Sequence, residues 1–201
     1  MKNTQIIIIT GGIGCGKSVV SRLLQVMGYP VYDCDLEAKQ LMNTDPILKE
    51  QLTSTFGPDT YQKDGTLNKP HLASLIFNNK TLLTRIDQLV HPAVGRDIEA
   101  RRISIQAPYL FVETAIYYES GFGQFISPAQ VWCVASPLEL RISRAMVRDN
   151  TPREKILARI NSQMSQEEKT QRADAIIWND NTHSLILQVN ALLKFPSRNT
   201  L

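Results

Sequence analysis

Eight residues near the start of the chain restrict its fold more than any others: Gly11-Gly12-Ile13-Gly14-Cys15-Gly16-Lys17-Ser18. They satisfy the pattern G-x-x-x-x-G-K-[ST] and follow almost directly on four consecutive isoleucines, Ile6 to Ile9. An unbroken β-branched run reads as a strand buried on both faces, the habit of a parallel sheet. Lys17 to Met27 then reads as a helix, with Val20, Leu23, Leu24 and Met27 along one side and Gly28 ending it. At average glycine usage the pattern arises by chance in roughly one chain in a hundred of this length. Here it also has the strand before it and the helix after it that the motif requires. Glycines reach positive φ and keep Cβ atoms out of the way. Backbone N–H groups then converge as an anion nest at the positive end of the helix dipole. The residues predict a cradle for a nucleotide's polyphosphate built from Gly12, Ile13, Gly14, Cys15, Gly16, Lys17, Ser18 and Val19. Lys17 is expected on the β- and γ-phosphates and the Ser18 hydroxyl on Mg²⁺. Cys15 stands where the loop is expected to leave the side chain free to vary. A thiol activated by the helix N-terminus is one reading, and a small side chain that merely fits is the favoured one.

The alternation continues past the loop. Tyr29 to Asp33 reads as a second strand and Leu36 to Met42 opens another helix, the β-loop-α-β-α order of a parallel α/β sheet. From Asp45 to about Gln106 the patterns are helical without a convincing strand, and Gly57-Pro58 and Asp64-Gly65 mark turns. Strand patterns return at Tyr109 to Thr114, Val131 to Ala135 and Ala175 to Trp178. Pro137 and Pro152 sit near two helix starts, where a missing N–H does least harm. Thr182 to Leu193 reads as a closing amphipathic helix with Leu185, Ile186, Val189, Leu192 and Leu193 inward, and the tail Phe195 to Leu201 is expected to fray. Together these predict one α/β domain of three layers around a five-stranded parallel sheet. Its core would comprise residues 1–44 and 107–201, with a helical insertion at 45–106 and a helical lid at 141–165.

A chain of 201 residues, 43% of them hydrophobic, fits one such domain and can bury a core without disulfides. The net charge of +3 is too slight to announce a nucleic-acid binder. Cys15, Cys34 and Cys133 match no zinc or thioredoxin spacing and are expected as free thiols. Ile6 to Ile9 is too short for a leader's apolar core, and no run reaches the roughly 18 apolar residues of a membrane span. The expectation is a cytoplasmic protein without a membrane partner, a monomer or weak homo-oligomer.

Two acids, Asp33 and Asp35, fall at the carboxyl end of the second strand, the edge where ligands bind in open α/β sheets. Phosphoryl transfer needs a group that orients the attacking hydroxyl, and an aspartate suits that task. Either acid can instead cap the following helix, and both roles can coexist; Asp35 is the favoured catalytic choice. Arg141, Arg144 and Arg148 fall at i, i+3 and i+7, on one helix face, with Arg153 and Arg159 close behind. They read as lid residues that neutralise the transferring group, or as a solvated basic face supported by Glu139 and Glu154. His91-Pro92 reads first as structural, Asp64-Gly65 as a turn and Trp132 as core. Glu113 reads equally as an acid of Walker-B type and as a sheet-edge residue.

These residues resemble the dephospho-CoA kinase family over nearly the whole chain. Thr10 to Ser18 resembles the family's TGGIGSGKS form with Cys15 in place of serine, and Asp33 to Ala38 resembles its D-x-D-x-x-A segment. Phe56-Gly57, Asp64 to Asn68, Leu75 to Phe77, His91-Pro92, Arg144 to Asp149, Arg159 to Gln163 and Ala173 to Asp180 resemble further family segments in order. Ala115-Ile116-Tyr117-Tyr118-Glu119 departs from the family's P-L-L-[FV]-E, keeping only the acid, and Asn68-Lys69 stands where the family has arginine. The resemblance implies transfer of the ATP γ-phosphate to the ribose 3′-hydroxyl of dephospho-CoA, giving coenzyme A and ADP. It implies Asp35 as the activating carboxylate, with Lys17 and Arg144 or Arg148 on the transferring group. Asp33, His91 and Glu119 would lie on the acceptor side, with the acceptor held by the helical insertion, and Asn179 near the adenine. The sequence leaves two other readings: a kinase for another small acceptor such as a nucleoside monophosphate, or a non-catalytic nucleotide switch. A guanine-reading N-K-x-D is missing, since Asn179-Asp180-Asn181 lacks the lysine.

Overall fold

The computed structural model describes residues 4–77 and 79–194, so the tail expected to fray lies outside the described residues. Along the chain run β1 (Gln5–Thr10), α1 (Lys17–Val26), β2 (Val31–Asp33), α2 (Cys34–Thr44), α3 (Pro46–Phe56), α4 (Lys69–Ile76) and α5 (Lys80–Ser104). There follow β3 (Tyr109–Glu113), β4 (Gln130–Ala135), α6 (Leu138–Asp149), α7 (Arg153–Asn161), α8 (Gln166–Arg172), β5 (Ala175–Trp178) and α9 (Leu185–Lys194). Two compact units form: one runs to Tyr32 and resumes at Arg102, and the other is Asp33–Arg101.

The first unit is the α/β sheet that the strand patterns predict. Its order is β2-β3-β1-β4-β5, and β1–β3, β1–β4 and β4–β5 pair in parallel. The isoleucine run is buried on both faces, as expected. Ile7 and Ile9 join Phe111, Trp132, Val134 and Ile177 in one cluster with Val20 and Leu24 of α1 and Val189 of α9. Ile6, Ile8, Leu110, Val112 and Cys133, alternate along the same strands, are equally buried. Burial on both faces explains why period-2 alternation was absent from these strands. The C-terminal helix starts at Leu185 rather than Thr182, because Asp180 Oδ1 accepts from Thr182 N, Thr182 Oγ1 and His183 N and holds that stretch as a turn. Ile186, read as inward, is 56% exposed, while Val189 is buried. The helix α8, QEEKTQR, carries no apolar stripe and was invisible to periodicity; a capping box between Ser165 and Glu168 starts it.

The second unit is helical. Asp33 Oδ1 accepts from the Asp35 and Leu36 amides at 3.0 and 3.1 Å, so α2 begins at Cys34 and not at Leu36. Asp45 caps α3 in the same way, with Pro46 in its first turn. Because α2 packs on α3, this unit begins earlier than the segment 45–106 that composition marks. Among its described residues there is no strand, only an isolated bridge between Tyr61 and Leu67 across the Asp64-Gly65 turn. The Tyr61 hydroxyl donates to Met42 O at 2.6 Å and Leu67 N to Asn43 Oδ1 at 2.8 Å, tying the turn to α2.

Candidate active site

The glycine loop leaves β1 at the centre of the sheet. Its neighbours β3 and β4 lie on opposite sides, so the winding reverses there and a crevice opens beyond the strands' carboxyl ends. Gly14 and Gly16 are required twice over. Their φ angles, 75° and 93°, lie in the left-handed region, and a Cβ would collide with Arg141 O at Gly14 and with Asn179 Nδ2 at Gly16. Lys17 opens α1 and folds across the loop, its Nζ 3.0 Å from Gly11 O and 3.4 Å from Gly12 O. Ser18 and Val19 follow in the first turn, exposed. The expectation for Cys15 was wrong about its freedom. Its side chain is fully buried in the core beside Val20 and Ile9, so only a small group fits, and the space-filling reading holds.

The basic face divides into three environments. Arg141, 5% exposed, donates from Nε to Ile13 O at 3.0 Å and lays its guanidinium against Gly12. Arg144 donates to Ser136 Oγ and Asn179 O at 3.1 and 3.0 Å and to Asn181 Oδ1 at 2.9 Å. Arg148 pairs with Asp149 at 2.7 Å near solvent, and Arg159 reaches the same carboxylate at 2.6 Å. The two guanidiniums hold the Asp149 carboxyl well below the usual carboxylate range. Arg153 pairs with Glu139, one of the supports expected for a solvated face. Sequence spacing placed all three arginines on one face, but Arg141 is the one seated on the loop.

The segment after α7 also reaches the loop. Ile13 N donates to Gln163 Oε1 at 3.2 Å, and the Ile13 side chain packs against Ile142, Ala145 and Ile156. Arg141 and Gln163 line a cavity of about 460 Å³ together with Leu138, Ile160 and Gln166. Asn179, at the end of β5, donates from Nδ2 to Cys15 O at 2.9 Å, while its own carbonyl accepts from Ser136 Oγ and Arg144. It therefore braces the loop from behind.

The loop after β3, where the family pattern is broken, is tied down by a residue that sequence reasoning missed. The Lys169 ammonium, fully buried, lies 2.6 Å from Glu119 Oε1 and 2.7 Å from Ala115 O. Glu119 Oε1 also accepts from Met164 N at 3.0 Å. The Glu119 carboxylate thus anchors this loop to α8 and to the turn before it. Its replacement by alanine strands a buried cation, which costs about 3 kcal/mol. In thermal unfolding Glu119→Ala is expected to lower Tm by about 10 °C for a domain of this size.

In the helical unit, Asp33 spends its side chain on the α2 cap, whereas the exposed Asp35 carboxylate makes no hydrogen bond or ion pair among the described residues. His91 lies inside α5, 3.9 Å from Asp87, whose carboxyl is pushed up by burial. Trp132 is core, as expected, with Nε1 on Gln130 Oε1 at 2.6 Å. No disulfide joins Cys15, Cys34 or Cys133; burial pushes the Cys133 thiol up to about 12. Among the described residues no cluster of three His, Cys, Asp or Glu side chains could hold a metal, and no helix is long and apolar enough to cross a membrane.

Comparison with known proteins gives this geometry a family. Residues 5–184 match the family model described as CoaE, dephospho-CoA kinase. A dephospho-CoA kinase of Bacteroides fragilis is 43% identical over 190 residues, covering 93% of this chain and 90% of that one. Among solved structures, a Thermus thermophilus protein superposes with a TM-score of 0.77 at 35% identity, and dephospho-CoA kinase from Campylobacter jejuni with 0.68 at 27%. Both alignments span 100% of each chain. With the family model covering the loop, the helical unit and the Asn179 brace alike, the chain belongs to the dephospho-CoA kinase family.

Proposed function

We propose that this protein transfers the γ-phosphate of ATP to the ribose 3′-hydroxyl of dephospho-CoA, releasing ADP and coenzyme A, the last step of coenzyme A biosynthesis, in the cytoplasm. The observation that carries the reading is a lysine-bearing glycine loop on the central strand with a buried arginine, Arg141, seated on it, in a chain of this family. Polyphosphate oxygens fit the amides of Gly14, Gly16 and Lys17, while Cys15 N donates to Gly12 O at 3.3 Å within the loop, and Lys17 exchanges its carbonyl partners for the β- and γ-phosphates. Arg141 takes the role expected of Arg144 or Arg148, because the guanidiniums of those two are engaged elsewhere. Its Nε rests on Ile13, and its Nη donors make no hydrogen bond among the described residues.

Magnesium fits the donor set. Mg²⁺ takes one or two protein oxygens and fills its octahedron with phosphates and water, and the Ser18 hydroxyl at the head of α1 offers one such oxygen. When bound, the ion supplies charge neutralisation between the β- and γ-phosphates. Asp35, two residues beyond the end of β2, is the carboxylate proposed to orient the acceptor hydroxyl, since Asp33 is committed to the helix cap. The unit Asp33–Arg101, which carries His91, is proposed to hold the acceptor.

The test is ADP release coupled to a dehydrogenase, with dephospho-CoA as acceptor and mass detection of the product. ATP- and Mg²⁺-dependent formation of coenzyme A is expected. Phosphorylation of a nucleoside monophosphate but not of dephospho-CoA would replace this reading with that of a nucleotide kinase.

A further inference from the structure

Gln163 and Arg141 hold the same residue of the glycine loop, one at its amide and the other at its carbonyl. Arg141 Nε donates to the Ile13 carbonyl at 3.0 Å, and Gln163 Oε1 accepts from the Ile13 amide at 3.2 Å. The orientation of the carboxamide follows from chemistry, because the flipped form would set two N–H groups against each other. With Oε1 anchored, the amide nitrogen Nε2 is held beside the loop, and it makes no hydrogen bond among the described residues. Ile13 itself is fixed by its packing on Ile142, Ala145 and Ile156, so the anchor is rigid. Gln163 is partly buried and lines the same cavity as Arg141. A neutral donor pre-positioned next to a cation, at the rim of a phosphate cradle, is what a loose phosphoryl transition state requires.

We propose that Gln163 is a catalytic residue whose Nε2 donates to an equatorial oxygen of the transferring phosphoryl group, an inference that rests on the kinase reading above. In the step it serves, the bond from the γ-phosphorus to the β–γ bridging oxygen breaks as the bond to the acceptor oxygen forms. ADP leaves with the electron pair, and the acceptor proton passes to the carboxylate or to solvent. Gln163 gains and loses no proton; its donor strengthens as charge spreads over the equatorial oxygens.

Gln163→Glu and Gln163→Met separate this role from that of a strut. Glutamate keeps the acceptor for Ile13 N but loses the donor and adds a negative charge; methionine keeps the length and loses both. A donor role predicts a fall in kcat of about 10²-fold in Gln163→Glu, the usual cost of one such donor. KM for ATP and Tm should stay near wild type, and Gln163→Met should also lose kcat. The same fall is expected in ATP hydrolysis without dephospho-CoA, where water is the acceptor. Failure of the wild type to phosphorylate dephospho-CoA therefore defeats the assigned reaction, while the hydrolysis ratio still judges Gln163. Wild-type kcat in either folded variant overturns the proposal, as does a Gln163→Glu enzyme that keeps full turnover while Gln163→Met loses it only with a lowered Tm.

Discussion

Lys17→Ala is expected to lower kcat/KM for phosphoryl transfer by about 10³-fold while leaving the fold intact, as the loss of a preorganised charge at the transferring group implies. Among the described residues the lysine hydrogen-bonds to loop carbonyls alone, those of Gly11 and Gly12, and it joins no hydrophobic cluster. The glycine loop keeps its shape through other contacts: Gly14 against Arg141, Gly16 against Asn179, and Cys15 in the core. Circular dichroism and Tm should therefore match wild type as ADP release collapses. Turnover at the wild-type rate in this variant would remove the loop from the chemistry altogether.

Asp35→Asn should lower kcat by about 10³-fold, within the range typical of a positioned general base, with ATP binding retained. The structure sharpens the comparison with its neighbour. Asparagine caps helices as well as aspartate does, so Asp33→Asn keeps the bonds to the Asp35 and Leu36 amides and should change kcat far less. Titration with a fluorescent ATP analogue and steady-state assays on both variants decide the matter. A dead Asp33→Asn beside an active Asp35→Asn would reverse the assignment of the two acids.

Much of this could be read directly from the chain. Each strand appeared within a residue or two of its expected place; the central strands β1, β3 and β4 are buried on both faces and are written as continuous apolar runs, such as Ile6 to Ile9. Helix starts were less legible. Asp33 and Asp180 both bond their own downstream amides, one capping a helix and the other holding a turn, and the residue type is the same in the two cases. Lys169 could not be found at all, since a lysine in a polar seven-residue helix reads as solvated until the fold buries it on Glu119.

By itself the sequence determined the turn of the glycine loop, the strand that presents it and the helix that follows. Those depend on φ angles, side-chain volume and hydrogen bonds between residues a few positions apart. Only the tertiary structure decided which arginine serves the loop, that Cys15 is packed inward, and that Gln163 and Asn179 brace the cradle. Arg141 and Ile13 are 128 residues apart in the chain and Asn179 and Cys15 are 164. A helical period fixes which face a side chain occupies, but the partner that face meets is set by how distant segments pack.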